Sequence, residues 1–258
     1  MIAILVAVNQ ELDPILKRAD ADHIVRQQHL DFHEGTLAGQ PVALLALGVG
    51  KECARIAAEI TIRCYRPDLL ICAGFGGALH PDVKQGDIVI GTDVLDLGED
   101  HGNSVRTRST HSILEPGELD ITSSPYRIHF GKILTSDDMV LKAVHKQRLG
   151  KATGALVTDM ETSAVAKVAA EHNTSMLAIR CISYTSRENL PVEFNDFFIV
   201  GQLKRRRVLY ACLHRPHLVL DLARIGLRAL KAGRNLSGFL ASTLPVLRLP
   251  SFGDRNDK

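Results

Sequence analysis

Between Val157 and Ala170 a β-prone pair, Val157-Thr158, runs through the acidic turn Asp159-Met160-Glu161 into an Ala-rich segment. In that segment Ala164, Val165, Val168 and Ala169 recur at the spacing of a helix face packed on a sheet. A strand that turns straight into such a helix belongs to an α/β sheet. It exposes the turn side chains at the carboxyl end of the strand, near the positive end of the helix dipole, where these sheets receive ligands. Asp159 and Glu161 therefore read either as helix-start residues or as ligand-binding carboxylates. Met160 between them offers an apolar, polarizable surface.

A chain of 258 residues fits one large α/β domain, alone or with an appendage. With 45% hydrophobic and 23% charged residues it can bury a sizeable core. The five cysteines (Cys53, Cys64, Cys72, Cys181, Cys212) are odd in number and lack metal-ligand spacing, so reduced thiols and a cytoplasmic location are expected. Met1 to Val8 has no positive leading region and soon meets Glu11 and Asp13, which reads as a buried first strand rather than a signal peptide. No apolar run is long enough to cross a bilayer. Charge is unevenly spread. Residues 204–234 hold nine Lys/Arg and one acid, Asp221, a net of +8, whereas the remainder carries 22 basic and 28 acidic residues, a net of −6.

Strand one ends at Asn9-Gln10-Glu11, which places Glu11 at the ligand-binding edge or at a helix start. His33–Leu37 and Pro41–Leu47 read as a hairpin around Ala38-Gly39-Gln40. Gly48-Val49-Gly50-Lys51 then opens a helix from Glu52 to Cys64; its glycines can present backbone N–H groups to an anion or sugar oxygen, although the phosphate-loop spacing is absent. Asp68–Ala73 is a third strand, expected to end in the turn Gly74-Phe75-Gly76-Gly77-Ala78-Leu79. Gly86–Gly91 reads as turn then strand, and Leu97–Tyr126 as a polar surface loop or lid. Its His101 and His111 have no ligand-like spacing, so no metal is expected. Lys132–Val140 is a strand running into an acidic turn, and Met176–Ser183 the last core strand.

Asp159-Met160-Glu161-Thr162-Ser163-Ala164-Val165-Ala166 resembles the Met-Glu signature of the purine nucleoside phosphorylase and nucleosidase superfamily. Gly74–Leu79 resembles that superfamily's glycine-rich turn, and Thr135-Ser136-Asp137-Asp138 its Ser-Gly-Asp segment, with Asp137 in the glycine's place. The resemblance implies that Glu161 binds ribose hydroxyls, Met160 packs on the sugar and Glu11 activates the attacking water. Gly48, Gly50, Gly74, Phe75 and Gly76 would rim the sugar, and Val140 and Leu141 would wall the base pocket. Phosphorolytic members place Arg residues around the glycine-rich turn and N-terminal loop, where this chain has none, so hydrolysis is favoured over phosphorolysis. The family follows Arg-x-Ile-Ser with an Asp that protonates purine N7; Arg180-Cys181-Ile182-Ser183 is followed here by Tyr184. A phenol with pKa about 10 is a poor donor to a weakly basic nitrogen. Either Tyr184 works in a changed role, or Asp138 or another acid substitutes, or the enzyme is slow or dead. Asn189-Leu190-Pro191 resembles the hopanoid-associated phosphorylase (nucleosidase) subgroup.

The expected architecture is a central mixed β-sheet flanked by helices over residues 1–200, followed at 201–258 by a basic amphipathic helical extension. Pro216 should split that extension. Beyond it Leu218, Leu222, Ile225 and Ala229 share one helix face, and Arg224, Arg228 and Lys231 another, the pattern of a membrane-surface helix or of a solvated face packed on the domain. Three functions remain open: cleavage of a lipid-linked 5′-substituted adenosine, cleavage of soluble thioadenosines, and nucleoside binding without turnover. The expected partners are a purine nucleoside, phosphate, an anionic membrane surface at 204–234 and a second copy of the chain, with no cofactor and no nucleic acid.

Overall fold

A computed structural model of the chain describes residues 1–101, 104–110, 124–190, 198–199, 202–203 and 217–247. Its centre is β1 (Ile2–Val6), every residue of which is buried. β1 lies parallel to both β4 (Gln40–Ala46) and β5 (Leu69–Ala78). A strand flanked on both sides and covered on both faces has no polar face to present, hence the unbroken apolar run at the N-terminus. Alternate residues separate into two cores. Ala3 and Leu5 join Ala43, Leu45, Leu70 and Cys72 beneath α2 (Lys51–Tyr65) and α4 (Thr162–Glu171). Ile2, Ile4 and Val6 join Val42, Leu44, Leu69 and Ile71 beneath α1 (Asn9–Leu16) and a long C-terminal helix.

Beyond β5 the ten-stranded sheet closes on itself. β5 pairs in parallel with β10 (Met176–Tyr184), which pairs antiparallel with β6 (Ile88–His101). β6 pairs with β8 (Ile128–Thr135), β8 with β9 (Ala155–Asp159), and β9 returns to β5 through Gly77↔Thr158 and Ala78↔Val157. The outer edge is β3 (Leu30–Leu37) and β2 (Ala19–Gln27). Ala38 and Gly39, with φ of 50° and 81°, form the two-residue turn between β3 and β4. β2 is polar and irregularly alternating, so its strand character comes from pairing with β3.

Two expectations are corrected. Gly74–Ala78 is strand, not turn: β5 runs to Ala78 because β10 and β9 supply hydrogen-bonding partners on either side. The stretch from Leu97 is not irregular either. β6 continues to His101 and folds back as β7 (Ser104–Thr110), whose Val105, Thr107 and Thr110 suit an extended backbone despite their polar neighbours. Residues 102–103 and 111–123 of the expected loop, His111 among them, lie outside the described residues.

α3 (Ala143–Thr153) precedes β9, and the long C-terminal helix, α5, spans His217–Thr243 directly after Pro216. α5 is amphipathic, and its second half enters the core. Ala232, Leu236, Phe239, Leu240 and the following Leu244 are buried with β1 and β4. Gly233 permits close crossing over α1, since a Cβ there would sit 2.9 Å from Pro14 Cγ. The basic run 204–207 lies outside the described residues. Among the described residues no helix is long and apolar enough to cross a membrane.

Candidate active site

Glu11, just beyond β1, and Glu161, just beyond β9, are brought together near Arg180, midway along β10. Glu11 stands in the first turn of α1, and its side chain reaches back so that Oε2 accepts from the amides of Ala7 (2.8 Å) and Val8 (3.2 Å). That is ordinary helix-start behaviour for a Glu. The other oxygen is not used locally: Oε1 accepts from the Phe75 amide of β5 at 2.6 Å. Glu11 is buried, and burial pushes its carboxyl above the usual range, against the opposing pull of the Phe75 amide and Arg180. Gly74 lies beside it without a side chain for a steric reason. A Cβ there would sit 2.9 Å from Glu11 Oε1 and 3.1 Å from Arg180 Nη1.

Glu161 begins α4, also buried. Its Oε1 accepts from the Gly50 amide at 2.9 Å and its Oε2 from the Met160 amide at 3.3 Å. Gly50 has φ of 96° and Gly48 of 92°, a left-handed backbone that turns the Gly50 N–H toward Glu161. Burial and the neighbouring Asp159 push the Glu161 carboxyl up, while Arg180 holds it back. Met160 and Phe75 are half-buried beside the two carboxylates.

The hub beneath is Arg180, 1% exposed in the middle of an otherwise apolar strand. Its Nε donates to Asp159 Oδ2 at 2.7 Å and its Nη2 to Thr162 Oγ1 at 2.6 Å, with further bonds to the Cys72 carbonyl and sulfur. Asp159 is held on its other side by Thr135 Oγ1 at 2.7 Å and by Thr162, and Thr135 Oγ1 in turn accepts from the Ser163 amide. A buried guanidinium requires such pairing, and here it anchors the turn that carries Met160 and Glu161. Arg180, Thr135 and Thr162 were not singled out as site residues by pattern, and Asp159, read as a helix-start or ligand-binding carboxylate, is instead the partner of Arg180. The signal available for Arg180 was a lone cation inside the apolar run Met176–Ile182.

Tyr184 ends β10 past a bulge and lies opposite Gly77. A Cβ on Gly77 would come within 2.2–2.6 Å of the Tyr184 ring and hydroxyl. Burial pushes the phenol up, with Asp159 and Glu161 adding to it, so the hydroxyl keeps its proton. Val140, Leu141 and Asp138 line an adjoining cleft of about 470 Å³ whose wall also includes Leu97, Lys142 and His145. The cleft abuts the turn of Glu161 through Ser136, whose amide donates to the Asp159 carbonyl at 2.9 Å. Asp138 itself is exposed. Lys51 is paired with Asp96 and with Asp137, 2.9 Å away. Among the described residues no group of three His, Cys, Asp or Glu is arranged to hold a metal.

A partly closed mixed sheet, helices on both faces, and a buried carboxylate pair around the Met-Glu turn define a class. Residues 1–214 match the Phosphorylase superfamily, and the chain belongs to it. Within that class it is similar to the 5′-methylthioadenosine/S-adenosylhomocysteine nucleosidase of Staphylococcus aureus, with 23% identity over 209 residues, 76% of this chain and 92% of that protein. In fold it is similar to the Streptococcus pneumoniae MTA/SAH nucleosidase solved with 8-aminoadenine (TM-score 0.73, 21% identity, 95% of this chain and 99% of that one). The futalosine hydrolase of Helicobacter pylori is a further structural relative (TM-score 0.71, 18% identity, 93% and 95% covered).

Proposed function

We propose that the chain hydrolyses the N-glycosidic bond of a purine nucleoside, releasing adenine. The observation that carries this is the meeting of Glu11 and Glu161 around Arg180 from distant parts of the chain. In this reading Glu11, its two oxygens aimed by three amides, takes the proton of the attacking water. A carboxyl raised by burial is the stronger base for it. Glu161 accepts from the ribose hydroxyls, Met160 and Phe75 shield the oxocarbenium-like sugar from bulk water, and Gly48, Gly50, Gly74 and Gly76 let the backbone approach it. Val140 and Leu141 wall the base. Tyr184 takes the leaving-group side as a hydrogen-bond donor; the exposure of Asp138 puts that residue second.

Water is favoured over phosphate because, among the described residues, the cations nearest these carboxylates are engaged. Arg180 is bonded to Asp159 and Thr162, and Lys51 to Asp96 and Asp137. An oxyanion substrate would need a guanidinium fork of its own. The names of the relatives support a 5′-thioadenosine as substrate. The experiment is adenine release from methylthioadenosine, inosine and a 5′-alkyl adenosine, with and without phosphate. Glu11→Gln should lower it by about 10²–10⁴-fold. Unchanged release in that variant removes Glu11 from the reaction, and binding without release in the wild type leaves a nucleoside-binding protein.

One observation favours a lipid-linked 5′-substituted adenosine. Leu227 and Leu230 of α5 are 67% and 58% exposed, on the same side as Lys231 and Arg234. Apolar side chains set among cations suit an anionic bilayer surface, where a lipid-borne substrate would reside. Flotation with phosphatidylserine vesicles should be weakened by Leu227→Ser/Leu230→Ser; equal flotation of the two chains would sink the membrane assignment. By analogy with the family, the chain is proposed to act as a homo-oligomer.

A further inference from the structure

Lys146 of α3 is 0% exposed, which is rare for a lysine. Its Nζ does not seek a carboxylate. It donates to two main-chain carbonyls, Thr185 at 3.0 Å and Glu188 at 2.6 Å, and stands 4.5 Å from the centroid of the Tyr184 ring. We propose that Lys146 is the positioning residue for the leaving-group end of the site: its ammonium holds the Tyr184 ring in place over Gly77 and closes the Thr185–Glu188 turn behind it. This rests on the nucleosidase reading, which puts Tyr184 on the leaving-group side.

The geometry around it forms one connected unit. The turn is closed internally by the Thr185 amide donating to Glu188 Oε2 at 2.9 Å. It is tied to the start of α3 by the Ala143 amide donating to Asn189 Oδ1 at 2.8 Å, and to the base wall by the Leu190 amide donating to the Leu141 carbonyl at 2.9 Å. Lys146 is the buried cation at the middle of these ties. A neutral side chain of similar shape would leave both carbonyls without their donor and the ring face without its cation. Tyr184 would then be free to leave the position that the bulge in β10 gives it.

The charged and titratable groups facing Lys146 are Tyr184 from β10, Glu188 from the turn and Arg228 from α5, the last two paired at 2.8 Å. Burial pushes the Lys146 ammonium down to about 8; Glu188 opposes this and Arg228 adds to it. The clamp is therefore charged at neutral pH and weakens as pH rises through that value. Arginine in its place stays charged throughout.

The test compares wild type, Lys146→Arg and Lys146→Met in adenine release from methylthioadenosine, from about pH 6 to about pH 10, alongside amide hydrogen exchange of residues 184–190. In the wild type kcat should fall as pH rises through about 8, and this alkaline limb should be absent in Lys146→Arg. Lys146→Met should lose about 10²-fold in kcat with KM little changed, as misplacement of a group near the reacting atoms does, and exchange of 184–190 should quicken. The same alkaline limb in Lys146→Arg, or wild-type kcat and exchange in Lys146→Met, overturns the proposal. If the wild type itself releases no adenine, the nucleosidase reading fails and exchange alone decides. Faster exchange in Lys146→Met that Lys146→Arg restores supports the clamp, and unchanged exchange refutes it.

Discussion

Replacing Asp159 with Asn should unfold much of what the site depends on, and the size of the loss can be worked from the contacts. Asp159 is the carboxylate bonded to Arg180, which is 1% exposed, at 2.7 Å from Nε and 2.5 Å from Nη2. The amide keeps the shape but removes the charge, leaving a guanidinium in the core hydrogen-bonded to Thr162, Cys72 and main-chain carbonyls, with Glu11 and Glu161 nearby but not bonded to it. Breaking one partner out of a buried ion pair costs about 3–5 kcal/mol, because the remaining charge stays desolvated. Against a total of about 5–15 kcal/mol for a domain, that is a large fraction. At about 2–4 °C per kcal/mol for chains of this size, the thermal midpoint should drop by about 6–20 °C. The assay is urea and thermal unfolding of wild type, Asp159→Asn, Arg180→Met and the double variant. Removing both charges should cost less than the sum of the single changes, since neither is then left unpaired. Additive losses, or an Asp159→Asn chain within about 1 kcal/mol of wild type, would show that Arg180 is compensated elsewhere and that the hub is misassigned.

The raised carboxyls make opposite demands on activity and stability. If Glu11 is the base proposed above, activity is lost as pH falls through its raised value, so adenine release should show an acid limb above the ordinary glutamate value. Stability runs the other way. Glu161, raised by burial, contributes stability that is present below the ordinary carboxylate value and lost as pH rises through the folded one. Glu161→Gln should therefore lose less unfolding free energy than wild type between about pH 5 and about pH 9. Phe239→Ala, at a residue 0% exposed on α5, should cost about 3–5 kcal/mol in denaturant unfolding. A smaller loss would mean that α5 does not complete the core. Gly77→Ala should displace Tyr184, since the new Cβ would meet its ring at 2.2 Å. A retained near-ultraviolet circular dichroism spectrum together with unchanged kcat would contradict that packing.

Local chemistry carried much of this protein in its one-dimensional pattern. The apolar run at Ile2–Val6, the hairpin at Ala38-Gly39 and the strand–turn–helix at Val157–Ala170 follow from periodicity and backbone preference, and these interactions span only a few residues. Glu11 and Glu161 were legible because each begins a helix just beyond a strand, at the edge where α/β sheets bind ligands. Long-range pairing decided the rest. Gly74–Ala78 carries the composition of a turn and became strand because β9 and β10 close a ring around it. The role of Arg180 exists only because Asp159 and Thr162 arrive beside it from another element. Lys146, an ordinary cation in a polar helix by sequence, is buried because the Thr185–Glu188 turn folds over its ammonium. Periodicity reports which face of an element is greasy, whereas the partner of a buried charge is set by which strands lie next to one another. That adjacency is a property of the closed sheet, absent from any single stretch of chain.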